Sequence, residues 1–207
     1  FEGEDLSKLV KEHGAALMGE KNYKRFGNEF PLLIKFIDAN ADLSIQVHPD
    51  DAIASERHNC AGKTEMWYIL AADEAARLNV GFNRETNKEE YLDYLNKGKI
   101  LDLLHYETVA AGDVFYLPAG RIHYIGRGIL LAEIQQTSDI TYRIYDFDRK
   151  DAKGNKRELN TDLALAALDF SFEEEYKTKY EAEENIPVNL VDSKYFTTDL
   201  FVLIDEI

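Results

Sequence analysis

The sequence predicts a mainly β fold, a sandwich or barrel of short strands interrupted by one helical insertion. Three observations point that way. Short apolar runs recur between turn signals from Pro31 to Ile204, several of them alternating with polar residues. One stretch, Thr86 to Leu104, has helical spacing instead, with Tyr91, Leu92, Leu95, Ile100, Leu101 and Leu104 among charges. A third stretch, Gly112 to His123, has the glycines and proline of a strand, a tight turn and a returning strand.

Taken in order, Leu6, Leu9, Val10 and Leu17 predict a helix over Leu6 to Leu17 that stops at Gly19. Pro31 to Ile37 is apolar and reads as a buried strand. Leu43 to Val47 alternates Leu, Ile and Val with Ser44, Gln46 and, one step on, His48. Met66 to Leu70 and Arg77 to Val80 read as strands around an Ala71–Ala76 turn. Gly98 divides the helical insertion in two. From Glu107 the pattern is β again: Val109, Val114, Phe115 and Leu117 lead into a Pro-Ala-Gly turn, and Ile129 to Gln135 and Thr141 to Tyr145 follow. Asp162 to Leu168 is a short Ala/Leu-rich helix, Phe172 to Glu184 a charged loop, and Val188 to Ile204 strands. There is no internal repeat and no low-complexity tract.

The chain has 207 residues, 45% of them hydrophobic, enough for one well-packed domain. A formal net charge of -15 argues against nucleic acid as a partner, because phosphate backbones need clustered Lys and Arg. It leaves room for a small phosphorylated molecule held by one or two local cations. The lone Cys60 forms no internal disulfide and fits a reducing compartment. No apolar run reaches membrane-spanning length. The chain begins at Phe1 and ends in an apolar run, so we expect a fragment of a longer protein.

Four residues stand out. Gln46 and His48 are two apart and share a strand face. Glu65 and His123 open further strands. An isolated Gln-x-His also suits a solvated strand face. Inward-facing polar residues, however, need partners, and two imidazoles, a carboxylate and an amide oxygen suit a divalent cation such as zinc. Trp67 and Tyr68 read as packing residues, His58 and His105 as ordinary surface or packing histidines, and Asp146 and Asp148 as salt-bridged structural carboxylates.

The run Gly112, Pro118, Gly120, His123 matches the second motif of the cupin superfamily. The first cupin motif is not met in its usual form, since Gln46 stands where a His is usual and Glu65 lies further on. Leu-Ser-Ile-Gln-Val-His-Pro-Asp-Asp (Leu43 to Asp51), Gly-Lys-Thr-Glu-Met-Trp-Tyr (Gly62 to Tyr68), Leu-Pro-Ala-Gly-Arg-Ile-His (Leu117 to His123) and the run Glu133 to Arg149 together resemble the type I mannose-6-phosphate isomerases, in their short bacterial form. The resemblance covers nearly the whole chain. It implies a cupin jelly-roll β-barrel with a helical insertion at about 85–105. Residues 1–207 would form one catalytic domain, lacking N-terminal strands and a C-terminal β-domain of the longer relatives.

That resemblance implies one zinc ion on Gln46, His48, Glu65 and His123. It carries Lys63, Glu133 and Arg143 over as catalytic groups, and Ser44 and Arg149 as residues near the substrate phosphate. It further implies a cytoplasmic isomerase acting on a small sugar phosphate, with no nucleic acid or membrane partner; the oligomeric state stays open. In the implied reaction a proton moves between C2 and C1. Zinc would serve as Lewis acid, Arg143 as oxyanion stabiliser, Glu133 as acid/base, and Lys63 would position a hydroxyl or share that role. The residues leave open which group takes the C2 proton. The alternative is a metal-binding cupin that binds a sugar or sugar phosphate without turnover. An iron-dependent oxygenase is a weaker third reading.

Overall fold

The computed structural model describes residues 3–150 and 152–204. Contacts divide the chain into two units, Phe1–Leu33 and Ile34–Ile207.

The first unit is helical. Asp5 caps α1 (Leu6–His13) by accepting from the Ser7 amide. The expected single helix to Leu17 is broken at Gly14. This residue sits at φ 43°, and its amide closes α1 on the Val10 carbonyl before α2 (Ala15–Met18) begins. Gly19 ends α2 as expected and also opens α3 (Glu20–Phe26), which the apolar spacing did not show.

The second unit is mainly β, two antiparallel sheets face to face in a jelly-roll arrangement. Strands β1 (Leu32–Ala39), β8 (Ile129–Gln136), β3 (Glu65–Ala72) and β6 (Val114–Leu117) form one sheet in the order β1-β8-β3-β6. Strands β5 (Leu104–Thr108), β4 (Arg77–Phe82), β7 (His123–Tyr124), β2 (Ile45–Val47) and β9 (Tyr142–Tyr145) form the other, in the order β5-β4-β7-β2-β9. Among the described residues no ladder joins the two sheets into a hydrogen-bonded barrel. A hairpin of β10 (Pro187–Asp192) and β11 (Thr197–Phe201) follows. No helix among the described residues is long and apolar enough to cross a membrane.

Two cores result from the period of two along each strand. Trp67, Ile69, Phe115 and Leu131 of the four-stranded sheet meet Leu78 and Val80 of the five-stranded sheet between the layers. Ile45, Val47, Tyr142 and Ile144 point the other way and pack beneath the insertion and α6 (Thr161–Ala167). The insertion is α5 (Lys88–Asn96), capped by Asn87, then Gly98 at φ 66° and a single 3-10 turn, Ile100–Leu103. Gly98 therefore breaks the segment as expected, but the second helix is only that turn. A bulge at Gly81, φ 72°, moves Phe82 from the inner to the outer core. A Cβ at Gly81 would lie 2.3 Å from the Tyr176 ring.

One strand-region expectation changes, and a helix follows Pro49 where no element was expected. The apolar run Pro31 to Ile37 is not a buried strand. It forms edge strand β1, with Ile34 58% and Phe36 74% exposed, while Lys35 turns toward the sheet interior. The segment after Pro49 is helix α4 (Asp51–His58), whose first turn is capped by the Asp50 carboxylate accepting from the Ile53 amide at 2.8 Å.

Candidate active site

Strand register brings the polar residues together. Gln46 of β2 lies between His123 of β7 and Arg143 of β9, its Cα partners on either side. On the facing sheet, Glu65 is opposite Gln135 and Trp67 opposite Glu133. Glu65 and Glu133 are thus diagonal neighbours on one inner face. The connection before β3 is tightly fixed. The Lys63 amide donates to the Pro49 carbonyl, the Gly62 amide to Asp51, and the Thr64 amide to the Gln136 side chain. Gly62 has no room for a side chain: a Cβ there would lie 2.5 Å from backbone atoms of Asp50 and Asp51. Gly120, at φ 92°, turns the chain toward His123 and donates its amide to the His48 carbonyl.

His48, Glu65 and His123 converge with potential ligand atoms within 4.8 Å of one another, and all three are buried. Nε2 of His48 is 3.5 Å from one Glu65 oxygen, and Nε2 of His123 is 3.4 Å from the other. Each imidazole is oriented from behind. Nδ1 of His48 faces the Ile140 carbonyl at 2.8 Å, and Nδ1 of His123 faces the Arg121 carbonyl at 2.8 Å. With Nδ1–H donating to those carbonyls, both Nε2 lone pairs point at Glu65, the tautomer a metal ligand needs. Trp67 packs edge-on against His123. The Gln46 amide is 3.3 Å from Nε2 of His123, and a flip of that amide would present its oxygen to the same point.

Nε2 of His48 and both oxygens of Glu65 are buried without a hydrogen-bond partner. Such groups are costly unless something satisfies them. The Lys63 ammonium, 3.1 Å from Glu65, is an ion-pair neighbour rather than a well-directed donor. A cation between the three residues would satisfy all three of these atoms, so the donor set fits a divalent metal. Burial, aided by Lys63, holds His48 well below the usual histidine range, and burial pushes His123 down to about 4. Both imidazoles are therefore neutral and free to coordinate. Burial also raises Glu65, with Lys63 opposing and Glu133 adding to the shift.

Glu133 is differently placed. One oxygen is 3.1 Å from the Lys35 ammonium and the other accepts from the Trp67 indole at 3.0 Å. Burial alone would raise its pKa, but Lys63, Lys35 and the two hydrogen bonds outweigh burial and hold it below its ordinary value. The site therefore contains one carboxylate raised by burial and one kept ionised by cations. Trp67 is more than packing, since it orients Glu133. Lys35, which also donates to Gln135, went unrecognised in the sequence. Its signal was a single lysine within an otherwise apolar run.

Arg143 donates from Nε to Ser44 at 3.3 Å and from Nη1 to the Glu158 carbonyl at 3.0 Å. Ser44 is thus joined to Arg143. Arg149 bonds the carbonyls of Asp42 and Asp146 and the Asp146 carboxylate. Asp146 also receives Arg157, and Asp148 pairs with Lys156, in keeping with salt-bridged roles. His58 meets the Tyr142 hydroxyl, and His105 meets Glu107, both apart from the cluster.

Known proteins resemble the chain in sequence and in fold. Residues 2–75 match the family model for phosphomannose isomerase type I, catalytic domain. Over 95% of its length the chain is 41% identical to mannose-6-phosphate isomerase ManA of Bacillus subtilis (strain 168), covering 62% of that protein. Over 81% of its length it is 44% identical to the mannose-6-phosphate isomerase of Streptococcus mutans serotype c, covering 51% of that protein. The fold matches the crystal structure of a mannose 6-phosphate isomerase from Bacillus subtilis with a TM-score of 0.80 and 36% identity, over 91% of this chain and 59% of that one. The chain thus spans between half and two thirds of the length of these relatives. In sequence and in fold alike, the chain is similar to phosphomannose isomerases, and over residues 2–75 to the type I catalytic domain.

Proposed function

We propose that the chain carries the catalytic centre of a zinc-dependent aldose–ketose isomerase, interconverting mannose 6-phosphate and fructose 6-phosphate through an enediolate. One observation carries this reading beyond the relationship itself. A buried His48–Glu65–His123 triad, in which Nε2 of His48 and both Glu65 oxygens lack a hydrogen bond, lies beside a second carboxylate, Glu133, that two lysines keep charged. A structural salt-bridge network would leave no orphaned donor atoms, and a simple sugar-binding pocket would have no need of a buried, ionised carboxylate.

Gln46, His48, Glu65 and His123 would hold the metal, and the mixed nitrogen and oxygen donors suit zinc. When bound, zinc supplies a Lewis acid toward a sugar oxygen. Glu133, ionised and pinned by Lys35 and Trp67, is placed to accept and return a proton. Lys63, 5% exposed, offers an N–H donor that orients a hydroxyl beside it. Arg143 keeps its charge on a partly covered strand and stabilises a developing oxyanion. Ser44 and Arg149 would receive the phosphate. The insertion at about 85–105 packs on the outer face of the five-stranded sheet and leaves the inner face to the substrate. The single cysteine suits a cytoplasmic setting.

The test is metal analysis with a coupled assay on mannose 6-phosphate. One equivalent of zinc and measurable turnover are expected, with Arg143→Ala losing kcat strongly while keeping its zinc. Full zinc content with no turnover of any hexose 6-phosphate would favour a sugar-binding cupin instead.

A further inference from the structure

A short turn beyond β9 holds an arrangement that the catalytic reading leaves unused. The Arg149 amide donates to the Asp146 carbonyl at 3.1 Å, closing a four-residue turn. Its two central residues, Phe147 and Asp148, have φ of 52° and 54°. Two consecutive non-glycine residues in the left-handed region are strained, and such strain persists where the surroundings enforce it. The Phe147 ring is clamped against Tyr124 and Tyr145. The turn brings the Arg149 guanidinium back over Asp146, where Nη2 meets the carboxylate and Nε the carbonyl.

The same carboxylate holds a second guanidinium. Nε of Arg157 donates to Asp146 at 2.7 Å, and its Nη2 reaches the other carboxylate oxygen. Asp146 is 5% exposed and sits between the two arginines. One carboxylate against two guanidiniums leaves a local surplus of positive charge, which Lys150 increases. These residues, with Leu43, line a cleft of about 270 Å³. In a chain of net charge -15, such a surplus is an exception that a purely structural ion pair does not require. Asp146 engages Arg157 side-on through two of its five N–H groups, leaving the other three uncommitted to it.

The cleft lies at the chain leading into β2, the strand whose Gln46 pairs with His123 of the triad. Leu43 lines the cleft, Ser44 bonds Arg143, and Gln46 pairs with His123. Gln46 is three residue steps from Leu43, at most about 10 Å at the usual rise, comparable with the reach of a six-carbon sugar phosphate. We propose that Arg157 is a second guanidinium for the substrate phosphate, held beside Arg149 by Asp146, which acts as a positioning residue. This rests on the sugar-phosphate reading above. Two guanidiniums and a lysine match a phosphate monoester dianion in charge and in fork geometry.

The experiment compares wild type, Arg157→Gln and Arg157→Lys as zinc-loaded proteins. Inorganic phosphate binding is measured by calorimetry, alongside KM and kcat for mannose 6-phosphate. Arg157→Gln is expected to raise KM and the phosphate dissociation constant together by about tenfold, with kcat within about threefold, because the phosphate is held alike in ground and transition states. Arg157→Lys should recover part of both. Active variants with unchanged KM and unchanged phosphate affinity would overturn the proposal. So would a loss of melting temperature and kcat with KM intact, the signature of a structural ion pair. If phosphate binds the wild type, is lost in Arg157→Gln, and no hexose phosphate is turned over, the anion site stands and the isomerase reading falls.

Discussion

Replacing His48 by Leu separates a metal ligand from a structural histidine by the sign of its effect. In the metal-free protein His48 contributes one hydrogen bond, from Nδ1 to Ile140, and leaves Nε2 buried without a partner. Losing that bond leaves the Ile140 carbonyl without its side-chain partner, at about 1–3 kcal/mol, while removing an unsatisfied buried nitrogen returns about 1–3 kcal/mol. The two nearly cancel, so the metal-free variant should keep its stability to within about 1.5 kcal/mol. For a chain of this size that is a change of roughly 3–6 °C in melting temperature. With metal the prediction is asymmetric. At a free zinc concentration of one hundred times its dissociation constant, wild type gains about 2.7 kcal/mol, which converts to roughly 5–11 °C. Without one imidazole that gain should largely vanish. The assay is thermal unfolding of both proteins in chelator and in buffered zinc, with zinc content measured separately. A wild type indifferent to zinc, or a variant showing the full zinc shift, would refute the reasoning. A metal-free variant destabilised by several kcal/mol would also refute it, because His48 would then be part of the packing rather than a vacant ligand.

Gly62→Ala should destabilise the fold by about 2 kcal/mol or more, because its Cβ would overlap backbone atoms of Asp50 and Asp51. By displacing the loop that presents Lys63 and Glu65, it should also weaken zinc binding, checked by competition with a chromophoric chelator. Trp67→Phe removes the indole donor that helps keep Glu133 ionised, so the acid limb of kcat/KM should move to higher pH. An unmoved limb would argue that Glu133 does not govern that ionisation. Burial favours the neutral form of Asp146, but hydrogen bonds from Arg157 and Arg149 outweigh it and hold the group below the usual carboxylate range. Because the folded-state value is depressed, its stabilisation is fully present above about pH 4 and fades as pH falls through the lowered value. Asp146→Asn should therefore cost about 1–2 kcal/mol at neutral pH, discounted for the partly exposed arginines. The gap from wild type, followed by chemical denaturation, should narrow only in acid.

Much of the candidate site was readable in the chain because its residues are marked by local pattern. Gln46 and His48 are set two apart on one strand face, and Gly112, Pro118 and Gly120 mark the turn into His123. Strand periodicity likewise indicated which residues face inward, since a strand has only two faces. The sequence could not show partners chosen by register between distant strands. Lys35 lay in a run that looked uniformly apolar, and only the place of β1 at a sheet edge turned Ile34 and Phe36 outward and Lys35 onto Glu133. Trp67 looked like packing until its pairing opposite Glu133 supplied a hydrogen bond. The helix at Leu6 read as continuous because apolar spacing does not register a glycine at positive φ, and Gly14 divided it. Whether a carboxylate is raised by burial, as Glu65 is, or kept charged by lysines, as Glu133 is, depends on neighbours tens of residues away along the chain. Composition and local pattern determined that this is a β protein with a metal-capable histidine face. Tertiary packing decided which charges meet, because Coulomb energy and desolvation depend on distance and burial in space rather than on order along the chain.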